Sequence, residues 1–299
     1  MNANEIKFGI EVETHLSKAD PTHVGSYRFP NQVEWLPSGW KVGKDCSIKA
    51  MHRGQLIKCD YHPTRKDAEF VSPILVGEAG LKEAHAAVKK IDERGATVNA
   101  SCGVHVTITF PANNGAALAR LICLFAHFET GLAATTGSKA RLGSTYAQSV
   151  KQWGASTLDK KKKVEQTEQA CKRDRYMALN LTHIANGNDR LEFRLFSGST
   201  NADKIIAWVR LVLAIAEFCL TTETAVAFDA KGKTNFVDNH GFGDGRRSIY
   251  KLLCKLGWLK TRGWGYNGKE YGTTEFDGLP TVKDMCKTLQ RLAKKYDAE

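Results

Sequence analysis

The 299-residue sequence predicts an α+β chain, with a curved, mainly antiparallel sheet and helices on its apolar outer face. Three observations lead there. Four segments alternate apolar and polar residues with the period of a half-buried strand. Amphipathic helices are interleaved between them. The order of elements lacks the regular strand–helix rhythm of a parallel, doubly wound sheet.

The first strand is expected over residues 5–15. Phe8, Ile10 and Val12 face one way, and Glu11 and Glu13 the other. Residues 20–65 are irregular and rich in Gly, Pro and aromatics, with strands expected near 33–36 and 40–48. Residues 66–73 carry Glu69 and end in Ser72-Pro73, where proline stops a strand. Residues 77–94 have helical spacing at Leu81, Ala84, Val88 and Ile91, closed by Gly95.

The second two-faced strand is expected over 98–109, with Val104, Val106 and Ile108 opposing Asn99, Ser101, His105 and Thr107. Pro111-Ala112-Asn113 opens a helix whose apolar side is Leu118, Leu121, Ile122 and Phe125. Residues 137–158 read as a loop or broken helix. The charge run Lys160–Lys163 precedes a helix over 164–171. The third strand, over 175–182, sets Met177, Leu179 and Leu181 against Tyr176, Asn180 and Thr182. Asn186-Gly187-Asn188 suggests a hairpin turn to the fourth, over 191–196, where Leu191, Phe193 and Leu195 oppose Glu192 and Arg194. Helices follow over 202–220, 246–256 and 281–296, with a loop over 232–245. No internal repeat is present.

Composition bounds the function. The eight cysteines include no Cys-x-x-Cys pair and do not form a disulfide framework, so free thiols in a reducing cytoplasm are expected. Cys59 and His62 lack a second cluster to complete a zinc site. No uninterrupted apolar stretch has the length of a membrane span, and the N-terminus lacks a signal-peptide core. The net charge is +11, of which residues 151–175 supply +4 and residues 246–299 supply +6. That balance favours an anionic partner such as nucleotide phosphates, nucleic acid or an acidic polymer.

The polar faces are chemically loaded. Glu11 and Glu13, a pleat apart, repel unless a cation lies between them, and hard oxygen ligands suit Mg²⁺. The alternative is a strand whose polar face meets water. Glu69 adds a third carboxylate. Glu192 could bind metal, or pair with Arg194, whose planar fork suits a carboxylate or phosphate. Arg173 and Arg175 could neutralise triphosphate oxygens. No P-loop or dinucleotide fingerprint is present.

Phe-Gly-Ile-Glu-Val-Glu (8–13), Glu-Phe-Val-Ser-Pro-Ile-Leu (69–75), Ser-Cys-Gly-Val-His-Val (101–106), Arg-Tyr-Met-Ala-Leu-Asn (175–180) and Leu-Glu-Phe-Arg-Leu-Phe-Ser-Gly-Ser-Thr (191–200) together resemble the amidoligase family. These are carboxylate–amine ligases related to glutamine synthetase and glutamate–cysteine ligase. Trp40 to Ser47 resembles the family's Trp…Asp-x-Ser element. The last helix, ending in Lys-Lys-Tyr-Asp, resembles the tail of phage-encoded members. The resemblance implies a glutamine-synthetase-like funnel with ATP and Mg²⁺ on its concave face. It implies a catalytic domain over 1–225 and a helical segment over 226–299 packed on it. It also implies metal ligands Glu11, Glu13, Glu69 and Glu192, with Arg173, Arg175, His105 and Asn180 on ATP. Arg194 would meet the carboxylate or acyl phosphate, His105 would contact ATP or acyl substrate, and Asp45 would face the amine. The expected activity is ATP-dependent amide formation between a carboxylate and an amine. His105-Val106-Thr107 lacks the second His of many relatives.

Two other classes fit parts of the sequence. A metal-dependent nuclease would use the acidic set and the basic surface, but Phe70-Val71 follows Glu69 where such enzymes usually place Lys. A nonenzymatic nucleic-acid-binding protein would explain the charge and Trp258, Trp264 and Tyr266, but not the Glu11/Glu13 face.

Overall fold

A computed structural model describes residues 2–150, 162–223, 244–260, 270–271 and 278–299. The expected 232–245 loop falls almost wholly outside these residues, as do Lys160, Lys161, Trp264 and Tyr266.

The chain begins with β1 (Lys7–Ser17), β2 (Asn31–Gln32), β3 (Lys41–Gly43), the hairpin β4 (Lys49–His52) and β5 (Gln55–Lys58), β6 (Arg65–Val71) and β7 (Leu75–Val76). It continues through α1 (Gly77–Glu93), β8 (Gly103–Thr109), α2 (Gly115–Ala134), α3 (Lys162–Arg173), β9 (Leu179–Asn180), α4 (Thr182–Ala185), β10 (Arg190–Ser197) and α5 (Ala202–Thr221). The last elements are α6 (Gly245–Lys255), the short pair β11 (Leu259–Lys260) and β12 (Glu270–Tyr271), and α7 (Val282–Ala298).

The main sheet runs β2-β3-β6-β1-β8-β10-β9, with β7 also on β1, and every pairing is antiparallel. β1 is central because Phe8, Ile10, Val12 and Leu16 are all fully buried on one face. Val104, Val106 and Ile108 of β8 and Leu191 and Phe193 of β10 extend that apolar face, and α1, α2 and α5 contribute to the same core. α2, α5, α6 and α7 start where short polar side chains cap them. Asn114, Asn201, Asp244 and Thr281 accept hydrogen bonds from the backbone amides of Ala117, Lys204, Arg247 and Asp284.

α2 is long and apolar enough to cross a membrane, although charged and polar residues interrupt its apolar run. Most of it is buried against α5, α6 and α7. Gly131 allows the close crossing with α6, since a Cβ there would lie 2.6 Å from the Ile249 amide.

Four expectations fail locally. Residues 33–36 form a turn, with Leu36 N–H donating to Val33 O, because Pro37 interrupts the run and Val33 and Leu36 bury as an i,i+3 pair. β8 starts only at Gly103, and Asn99 and Ser101 instead bond the Lys49 carbonyl. Residues 175–182 contribute a two-residue strand. The Asp174 carboxylate turns the chain at Tyr176, and Met177, Ala178, Leu179 and Leu181 are buried regardless of parity. The link to β10 contains α4 rather than a tight hairpin turn.

Candidate active site

The register of the sheet decides which polar side chains meet. Glu13 lies opposite Glu69 across β1 and β6, and Glu11 lies opposite His105 across β1 and β8. Glu192 lies opposite Thr107 on β8 and Asn180 on β9. Directly opposed side chains interact, so two facing carboxylates destabilise the pair unless charge is neutralised. Gly43 pairs with Glu69, and Asp45 enters two residues beyond the end of β3.

An open cavity of about 420 Å³ lies on the polar face, and its lining includes Glu11, Asp45, Glu69, His105, Glu192 and Arg194. Ligand atoms of Glu11, Glu69 and His105 lie within 4.8 Å of one another, as do those of Glu13, Asp45 and Glu69. Oxygen donors this close, on strands that hold them in register, fit a hard divalent cation.

Hydrogen bonds set the orientation of each group. Glu13 Oε2 accepts from the Gly103 amide at 2.5 Å. Glu192 accepts from Asn180 Nδ2 at 2.8 Å and from Arg194 Nη1 at 2.7 Å. Arg194 Nε donates to the Tyr146 carbonyl at 3.3 Å. Asp45 Oδ1 accepts from the Ser47 amide at 2.7 Å. At the mouth, Arg175 Nη2 lies 3.4 Å from the Tyr27 hydroxyl, which raises the guanidinium pKa further.

Arg141, buried at 3% exposure, reaches this centre from the turns after α2. Its Nε donates to the Arg194 carbonyl at 3.3 Å, and its Nη2 lies 3.0 Å from His105 Nε2. A Cβ on Gly103 would collide with this guanidinium, so the glycine admits a side chain of the protein itself. A guanidinium only donates, so His105 Nε2 must accept and the ring proton lies on Nδ1. Nδ1 then donates to Glu11 Oε2 at 2.9 Å, with Glu192 Oε1 at 3.2 Å. As placed, His105 orients carboxylates.

The electrostatics follow from crowding. Burial pushes the Glu13 carboxyl up to about 7, against the pull of Arg141. Burial, then Glu11, Asp45 and Glu13, push Glu69 up to about 9. Burial raises Glu11 against Arg194. His105 is pushed down to about 3 by burial and then by Arg194, and is neutral. Carboxyl groups that ionise this reluctantly lack positive charge, which a bound cation would supply.

Of the residues singled out in the sequence, Glu11, Asp45, Glu69, His105, Arg175, Asn180, Glu192 and Arg194 border the cavity, and Glu13 joins them through Asp45 and Glu69. Arg173 ends α3, exposed and outside the cavity lining. Arg141, Tyr27, Thr182 and His183 also belong to the site or its rim, and the sequence reading passed over them there. Tyr27 and Arg141 lie in irregular segments, Thr182 falls at the end of the expected 175–182 strand, and His183 lies in the link after it.

A family model described as "Putative amidoligase enzyme" matches residues 4–216. No curated protein matches the chain significantly. Among solved structures, a bifunctional glutathione synthetase from Pasteurella multocida aligns over 99% of this chain and 48% of its own, at 11% identity and a TM-score of 0.44. A GmaS/ADP complex aligns over 85% and 66%, at 14% identity and 0.44. A glutamine synthase homolog aligns over 97% and 66%, at 12% identity and 0.38. The chain thus spans between 48% and 66% of the length of these proteins.

Proposed function

The chain belongs to the amidoligase family, and from that premise we propose that it joins a carboxylate to an amine at the cost of ATP, through an acyl phosphate. The carrying observation is the set of carboxylates that β1, β6 and the segment after β3 bring together beside Arg194.

Glu11, Glu13, Glu69 and Asp45 would hold Mg²⁺, which when bound screens the triphosphate charge. Asp45 joins the ligand set in this reading, because its atoms group with Glu13 and Glu69, rather than facing the amine. Glu192 is engaged by Arg194 and Asn180, so it orients Arg194 more directly than it ligates. Arg194 holds the substrate carboxylate or the acyl phosphate, and Arg175 at the mouth meets phosphate oxygens. Neutral His105, aligned by Arg141, keeps Glu11 directed into the cavity.

A substrate carboxylate oxygen attacks the γ-phosphorus and the bond to the β,γ-bridging oxygen breaks, releasing ADP. The amine nitrogen then attacks the acyl carbon, the bond to the phosphate oxygen breaks, and the amine proton leaves with hydrogen phosphate. Holding the partners together and excluding water favours amide over hydrolysis. We place this catalytic unit in residues 1–225, with 226–299 appended.

The test is ADP release with panels of carboxylates and amines, with hydroxylamine added as a trap. The reading requires carboxylate-dependent ADP release and a hydroxamate. ADP release independent of every carboxylate would overturn it.

A further inference from the structure

α7 is an amphipathic helix with a one-sided charge. Val282, Met285, Cys286, Leu289 and Ala293 bury its apolar side, and it packs on α2, α5 and α6. Lys283, Lys287, Arg291, Lys294 and Lys295 are all exposed. At about 100° and 1.5 Å per residue they occupy a sector of about 120° along a ridge about 18 Å long. None of the five forms an ion pair with a carboxylate among the described residues.

The two acidic residues of α7 serve helix ends. Asp284 Oδ2 accepts from the Thr281 hydroxyl at 2.6 Å and offsets charge only beside Lys283 and Lys287. Asp297 accepts from the Gly245 and Arg246 amides at 2.7 and 2.9 Å. Lys204 of α5 extends the ridge. Its Nζ is fixed by the Thr136 carbonyl at 3.0 Å and lies 4.7 Å from the Trp208 ring centre. Burial, and then Lys295 and Arg291, lower its pKa to about 8, as expected where cations gather without counter-charge.

The ridge also lacks an apolar anchor. Among the described residues, the large exposed apolar side chains, among them Tyr27, Phe29, Tyr61 and Ile74, all come from the first 76 residues. A stable protein interface is centred on such anchors. A row of flexible point charges about 6 Å apart instead suits a sugar–phosphate backbone, with one phosphate per roughly 3.4 Å of each strand. We propose that the outer face of α7, with Lys204, binds the phosphate backbone of a nucleic acid without reading its sequence. The surface shares no residue with the cavity, so the proposal stands whether or not the ligase reading does.

Fluorescence anisotropy of the full chain with a labelled duplex and a labelled single strand, across a salt series, tests it. Duplex affinity should fall with a log–log slope of about −4 to −5, equally for scrambled sequences. The K283Q/K287Q/R291Q/K295Q variant should melt like the wild type, lose about 3–4 of that slope, and bind at least ~10²-fold more weakly at low salt. Absence of nucleic-acid binding at low salt overturns the proposal, as does an unchanged slope in the variant. Tighter binding to polyglutamate or to anionic vesicles than to either nucleic acid also overturns it, and assigns the face to an acidic protein or a membrane.

Discussion

Glu13 and Glu69 face each other across two strands inside the cavity, whereas Lys287 and Arg291 stand a helical turn apart in water on α7. Both places concentrate one sign of charge. Inside the cavity, water cannot screen the repulsion, so the carboxyls take up protons and Arg141 and Arg194 are drawn among them. On α7, solvent and salt screen the cations, and the fold makes no visible provision for them. Buried like charge therefore constrains its surroundings and exposes its purpose, while exposed like charge declares itself only through a partner.

Removing a cavity cation should show this most strongly. Arg141→Met should cost about 3–5 kcal/mol in urea unfolding at neutral pH without metal, because Glu13 and the His105 hydrogen bond lose their partner. A loss below about 1 kcal/mol would mean that the guanidinium does not balance the carboxylates.

Arg194→Lys keeps the charge beside Glu192 but loses the fork. Ligase activity should fall by about 10²–10³, or roughly 2.7–4 kcal/mol, with the melting curve little changed. Wild-type turnover in that variant would make Arg194 a structural partner of Glu192 alone.

The pH dependence sharpens the contrast. Glu13 and Glu69 have folded pKa values above the ordinary 4.5, about 7 and about 9. They bind protons in the folded state that the unfolded chain has already released. Their contribution to stability is complete below about pH 4.5 and is lost as pH rises through 7 and 9. The metal-free protein should lose several kcal/mol across that range, and Mg²⁺ should restore most of it. Glu69→Gln should flatten the loss and abolish the Mg²⁺ effect. A metal-free stability that rises with pH would contradict the crowding described. The smallest effect belongs to α7, where Lys287→Gln should shift stability by less than about 0.5 kcal/mol in either direction.

What could be read from the sequence was what repeats with a short period. Glu11, Glu13, His105, Glu192 and Arg194 were legible because strand alternation sets each opposite an apolar neighbour. The two long central helices α2 and α5 were legible from the spacing of their buried residues. Arg141 was not, because it lies in turns with no period and its partners are 36 and 53 residues away in sequence. Asp45 was legible as a polar residue near the site, but its grouping with Glu13 and Glu69 was not, because it depends on the pairing of β3 with β6. Arg173 was included by adjacency to Arg175, yet α3 ends between them and turns it outward. Alternation over 175–182 misled because the segment is buried on both sides.

Hydrogen bonds already made inside the cavity limit how many oxygens it can give away. Gly103 holds one oxygen of Glu13, Ser47 holds one of Asp45, and Asn180 and Arg194 occupy both of Glu192. Each of these acids thus keeps at most one oxygen clear of a hydrogen bond, Glu11 included, since His105 holds its other oxygen, and Glu69 keeps both. Calcium seeks six to eight oxygens and often takes both from one carboxylate, whereas magnesium keeps an octahedron completed by waters and substrate phosphates. With Mg²⁺ in the role proposed above, a donor set engaged in this way should favour magnesium over calcium by coordination number, and calcium should compete poorly for it.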